Sequence, residues 1–267
     1  MTCRGRPIFW FMNDELNDNQ EALPENTPAP SEPLPQEPPR DTFHKSRLSY
    51  FTLFLLLILW PASSILFVGD PTEALKSLSI SLIYLVYIPT LVIQWLVFAL
   101  IYLTTYREQT GLAGIGFRKL RLIDFFWAVA FLLVSNLILS LLAVLLKLVN
   151  LEIPGEVGLI LPTNGTERIL WVILAITAGI CEEAAFRGYL ITRIKIFGKT
   201  NSWILPVILA SLAFGSGHAY QGIGGFILIS IYGSLFAILF LKTKSLWPCV
   251  IAHFFQDFSA LFFPYQR

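Results

Sequence analysis

Apolar residues gather into long blocks along most of the chain, and about 18 in a row is what a helix needs to cross roughly 30 Å of hydrocarbon. Seven blocks qualify as candidates: residues 48–68, 78–104, 125–146, 169–190, 203–217, 223–241 and 246–263. Helices are the expected form, because membrane-spanning strands run to about 10 residues and alternate in polarity. The fifth block is short, and the fourth carries three charges, Glu182, Glu183 and Arg187. The predicted fold is all-α, a polytopic transmembrane bundle of about seven helices over residues 48–267.

Residues 1–47 break this pattern. Half of the chain's 16 prolines lie there among acidic side chains, densest from Pro24 to Pro39. Such a stretch buries no core and is expected to be a disordered cytoplasmic tail, a solvated linker before the bundle. The first long apolar run starts too late and runs too long for a signal peptide. Phe9, Trp10 and Phe11 form a small aromatic patch that either touches the membrane interface or is chance clustering.

Composition narrows the class. With 267 residues, 55% hydrophobic, 14% charged and a net charge of +1, the chain is neither an ordinary soluble globule, of which roughly a quarter is charged, nor a basic nucleic-acid binder. Its three cysteines build no disulfide framework, and Cys181 and Cys249 sit in apolar runs where a thiol acts as a small hydrophobe.

Cations set the expected threading, since Lys and Arg accumulate in cytoplasmic loops. Arg40, Lys45 and Arg47 precede the first block. Arg107, Arg118, Lys119 and Arg121 follow the second, Arg193, Lys195 and Lys199 the fourth, and Lys242 and Lys244 the sixth. All fall on one side if the blocks alternate. The other side receives Lys76, Lys147, Arg168 and Arg267, with Asp70, Glu73, Glu152, Glu156 and Glu167 near them. Seven crossings with the N-terminus cytoplasmic and the C-terminus opposite satisfy the rule at every loop, in what is expected to be a bacterial plasma membrane.

Ionisable groups within the blocks are few: Glu182, Glu183 and Arg187 in the fourth, His218 at the end of the fifth, His253 and Asp257 in the seventh. Each costs roughly 2.5 to 3.5 kcal/mol or more in hydrocarbon by insertion scales, so each needs a partner and usually a task. Residues four apart share a helix face. Glu183 and Arg187 are so placed and neutralise each other, leaving Glu182 free; His253 and Asp257 are likewise paired. A buried ion pair joining helices, or a helix–helix hydrogen bond, is the structural alternative. Glu182 lies roughly 16 Å from the boundary at Arg193 and His253 roughly 14 Å from Lys244, whereas His218 reaches a similar depth, roughly 18 Å, only if its helix starts near Pro206.

Glu182-Glu183-Ala-Ala-Phe-Arg187, Phe214-Gly-Ser-Gly-His218 and His253-Phe-Phe-Gln-Asp257 resemble the EExxxR, FxxxH and HxxxN/D motifs of the CPBP family. That family comprises CAAX prenyl endopeptidases and the bacteriocin-processing or Abi-type proteins. The flanking Gly188-Tyr189-Leu190 and Ser245-Leu246-Trp247-Pro248 are similar to its usual context, and the likeness is clear over about 169–263. Asp257 stands where many members carry Asn. The resemblance implies an intramembrane endopeptidase open to the cytoplasm, acting on a peptide or a prenylated or membrane-anchored protein, with membrane lipids around it and no nucleic-acid partner. It further implies that Glu182 and His218 activate water, that His253 and Asp257 hold the carbonyl oxygen, the water or a metal, and that Glu183 and Arg187 support the site.

Two cofactor readings stay open. Glu182, His218, His253 and Asp257 make a zinc set with a position left for water; the same groups also suit metal-independent hydrolysis, and no HExxH helix is present. Physical reading of the charges alone also allows a proton- or ion-coupled transporter, or a non-catalytic scaffold regulating a membrane partner. Asn164-Gly165-Thr166 fits a glycosylation acceptor, a tripeptide that recurs by chance.

Overall fold

The computed structural model describes residues 43–66, 81–151, 158 and 160–262, and every regular element among them is helical. The expected tail lies almost wholly outside the described residues, as do the Phe9–Phe11 patch and the acidic loop residues Asp70, Glu73, Glu152 and Glu156. Seven helices follow: α1 (Arg47–Leu66), α2 (Ile83–Arg107), α3 (Leu122–Leu148) and α4 (Gly165–Phe197), then α5 (Ile204–Ser216), α6 (Gly222–Thr243) and α7 (Trp247–Ser259).

Length separates them into two kinds. α1 to α4, and α6 with the turn before it, are long and apolar enough to cross a membrane. α5 and α7 have 13 residues each, about 20 Å at 1.5 Å per residue, short of the hydrocarbon thickness. The seventh block was expected to be helical through Phe263; α7 instead ends at Ser259 and tightens into a 3₁₀ turn, Ala260–Phe262. α5 begins at Ile204, two residues before Pro206, and its shortness leaves His218 within the bundle's depth.

Local chemistry fixes the helix starts. Ser46 and Ser49 form a reciprocal cap on α1: Ser46 Oγ accepts from the Ser49 amide at 3.1 Å, and Ser49 Oγ from the Ser46 amide at 3.3 Å. Asp124 accepts from the Arg121 amide at 2.8 Å and pairs with Arg118 at 2.8 Å, opening α3. Asn164 Oδ1 accepts from the Glu167 amide at 3.0 Å, so the asparagine of the glycosylation tripeptide is the N-cap of α4.

Contacts between ends establish the alternation. Phe43 and Tyr50, at the start of α1, pack on Phe197 at the end of α4. At the same end, Trp247 Nε1 donates to Arg118 O and the Leu246 amide to Gly116 O. At the opposite end Tyr87 Oη donates to Ile160 O at 3.0 Å, and Trp171 Nε1 to Asp257 O at 2.8 Å. The basic loops after α2, α4 and α6 thus share one end, as their charges required. Arg193 is the exception: it is fully buried, its guanidinium donating to Glu108, Thr110 Oγ1 and Gly114 O, while Tyr189 Oη donates to Glu108 at 3.3 Å. It ties α4 to the end of α2 rather than facing solvent.

Two glycines let helices approach closely. A Cβ on Gly179 of α4 would lie 2.9 Å from the backbone oxygen of Val250 in α7, and one on Gly215 of α5 would lie 3.0 Å from that of Phe226 in α6. Backbone cannot yield as a flexible side chain does, so only glycine allows these two contacts.

Candidate active site

Halfway along α4 the hydrogen-bonding pattern widens from α to π over Glu183–Leu190. An extra residue per turn inside an otherwise regular helix re-aims side chains, and such insertions recur at functional sites. Glu182 ends the α-helical part and Glu183 begins the π part. Both carboxylates then face one imidazole. His253 Nδ1 lies 2.8 Å from Glu183 Oε1, and His253 Nε2 lies 3.8 Å from Glu182 Oε2 and 3.6 Å from Asp257 Oδ2. α7 delivers His253 and Asp257 on one face, four residues apart, against the Gly179 contact.

A carboxylate only accepts, so Nδ1–H donates to Glu183 and Nε2 is the nitrogen turned towards Glu182 and Asp257. Glu183 has a second partner in Arg187 Nη1 at 3.1 Å, an ion pair at an angle outside hydrogen-bond geometry. The Arg187 guanidinium is held instead between two aromatic faces, 4.0 Å above Phe214 and 4.9 Å above Phe236. The expected mutual neutralisation of Glu183 and Arg187 is therefore shared with His253.

His218 follows α5 in the turn that leads to α6. Its Nδ1 stands 3.5 Å from Phe214 O, the reach limit of a hydrogen bond, which leaves Nε2 as the accepting nitrogen of the neutral ring. Both site imidazoles pack on Phe214, His218 at 5.4 Å and His253 at 6.4 Å between ring centroids. His218 interacts electrostatically with Asp257, His253 and Arg187. It makes no hydrogen bond or ion pair with Glu182; the imidazole that Glu182 faces is His253.

Two residues escaped the sequence reading. Gln94 of α2 donates through Nε2 to Glu182 Oε1 at 2.7 Å, so Glu182 is not free of partners. Tyr220, 6.2 Å from the His218 ring, lies within electrostatic reach of Glu182 and Asp257. A search for ionisable groups passes over an amide and a phenol; a lone carboxamide in an apolar helix was the available signal. Glu182, Gln94, Trp60, Val97 and Phe186 border a partly open cavity of about 30 Å³ between α1, α2 and α4.

Metal ligation needs donors converging at about 2.0–2.2 Å on one point. Among the described residues no group of three or more His, Cys, Asp or Glu is gathered in that way; the Nδ1 bond to Glu183 leaves His253 Nε2 as the nitrogen available to a ligand.

Residues 164–259, from the cap of α4 to the end of α7, match the family model described as type II CAAX prenyl endopeptidase, Rce1-like. Over these residues the chain is similar to that family. The match agrees with the resemblance carried by the three motifs, and the matched family is one of peptidases. With five helices of membrane-crossing length and composition, the protein is an integral membrane protein. α1 to α3 lie outside the Rce1-like region. No significant match was found among curated proteins or among solved structures.

Proposed function

We propose that the protein is an intramembrane endopeptidase in which Glu182 activates the water that cleaves a peptide bond. The observation that carries this reading is the placement of His253 Nε2, 3.8 Å from Glu182 Oε2 and 3.6 Å from Asp257 Oδ2. Separations of that size suit polar groups that share a water or a substrate oxygen rather than bond directly. Amide hydrolysis requires a base for water, a donor for the oxyanion and a proton for the leaving amine.

Each requirement has a residue. Glu182 Oε2 takes a proton from water as the water oxygen bonds to the carbonyl carbon. His253, protonated on both nitrogens, donates Nδ1–H to Glu183 and Nε2–H to the carbonyl oxygen, whose charge grows as the carbonyl π bond opens. The C–N bond then breaks and Glu182 returns its proton to the amine, leaving an acid and an amine for one water consumed. His218 Nε2 approaches from the α5 turn as a second acceptor for the water. Asp257 orients His253, and Glu183 with Arg187 keeps that imidazole in place.

The substrate we propose is a prenylated CAAX-type protein end, which the family description supports, or a comparable membrane-anchored peptide. The basic ends of the helices support a site that opens to the cytoplasm, with the tail on the same side. The test uses purified full-length protein in proteoliposomes with an internally quenched farnesylated CAAX peptide. Wild type cleaves; Glu182→Gln and His218→Ala insert equally well and lose at least about 100-fold in rate. Cleavage undiminished in Glu182→Gln would discard the assignment.

A further inference from the structure

Gln94 is the only carboxamide on α2, and from Leu91 to Ile101 only it and Trp95 carry a polar side-chain atom. It is 7% exposed, and its Oε1 has no hydrogen-bond partner. An amide so placed in an apolar helix is unfavourable unless it is used. Its one bond is the donation from Nε2 to Glu182 Oε1 at 2.7 Å. The walls around that bond include Leu56, Val97, Ala185 and Phe186, an apolar setting in which a hydrogen bond is stronger than in water.

We infer that Gln94 is a positioning residue for Glu182: by occupying Oε1 it leaves Oε2 as the oxygen turned towards His253, and so selects which oxygen receives the water proton. The inference rests on the endopeptidase reading of Glu182. It also gives α2 a part in catalysis, although α2 lies outside the Rce1-like region. A free carboxylate rotates its two equivalent oxygens through the site; one anchored at Oε1 presents Oε2 in a single orientation, the kind of pre-organisation that acts on turnover more than on binding.

The experiment compares Gln94→Met, which keeps the volume and removes the donor, with wild type and Glu182→Gln, using the farnesylated CAAX peptide in proteoliposomes. We expect kcat of Gln94→Met to fall about 10- to 100-fold with KM within about threefold, and Gln94→His, which restores an N–H of similar reach, to recover part of that loss. A substrate-independent readout accompanies it: the infrared carboxylate band isolated by subtracting Glu182→Gln from wild type should shift in Gln94→Met. A kcat within twofold of wild type, an effect confined to KM, or an unmoved band overturns the positioning role. Loss of kcat in Glu182→Gln alone leaves the endopeptidase reading intact while removing this one; full activity in Glu182→Gln, or a wild type inert on the peptide, removes both.

Discussion

Glu183 and Glu182 are adjacent in sequence but serve opposite needs. Glu183 is fully buried and compensates both the Arg187 guanidinium and the His253 ring. Removing one member of such a set strands the others, at a cost of about 3–5 kcal/mol. Glu183→Ala should therefore lower the thermal unfolding midpoint in detergent, whereas Glu182→Gln, whose partner Gln94 still finds an amide, should leave it near wild type; equal midpoints for the two variants would refute the division of labour. The same cost applies to Arg193→Ala, which leaves Glu108 buried without its cation, and a midpoint unchanged there would mean that the pair is solvated. Both motif glutamates, both histidines and Asp257 were legible in the sequence because charge in an apolar block is conspicuous. Gln94 was not, since an uncharged amide stands out little, and Arg193 was misread as a loop cation because its partner Glu108 is far away in sequence.

Between helices, the site depends on how closely α4 and α7 meet. Gly179 faces the Val250 carbonyl directly, so Gly179→Val must push α7 away and carry His253 from Glu182. Activity should fall at least tenfold, with a stability loss of about 1–3 kcal/mol; wild-type kcat in that variant would show that the His253–Glu182 approach is not needed. Helix existence was legible from apolar length, but two features of the helices were not. The π stretch Glu183–Leu190 changes side-chain directions without changing apolar periodicity, so reading Glu183 as taken up by Arg187 and Glu182 as free was natural and incomplete. The shortness of α5 was visible as a short block; that of α7 was hidden because Ala260, Leu261 and Phe262 continue the apolar run past the helix end.

The bundle as a whole sorts its basic loops to one end, and the contacts between Phe197 and Tyr50 and between Trp247 and Arg118 draw those loops together. Lys119 lies exposed at that end, and Val149, 61% exposed, at the other. Single cysteines there, in a background with Cys3 replaced by Ser and the buried Cys181 and Cys249 retained, report orientation. In right-side-out vesicles an impermeant maleimide should label Val149→Cys and spare Lys119→Cys; the reverse would invert the bundle. The alternation of ends was legible from charge, whereas the link from α2 into the site was not, because no local pattern joins Gln94 to a glutamate 88 positions on. The most direct measurement is a single-turnover cleavage of the farnesylated CAAX peptide by wild-type protein in water enriched in oxygen-18, with the new peptide carboxylate analysed by mass. Water activated by Glu182 puts one heavy oxygen into that carboxylate in the first turnover and does so undetectably in Glu182→Gln. Light oxygen in the first-turnover product, or equal labelling by the variant, would contradict a glutamate-activated water.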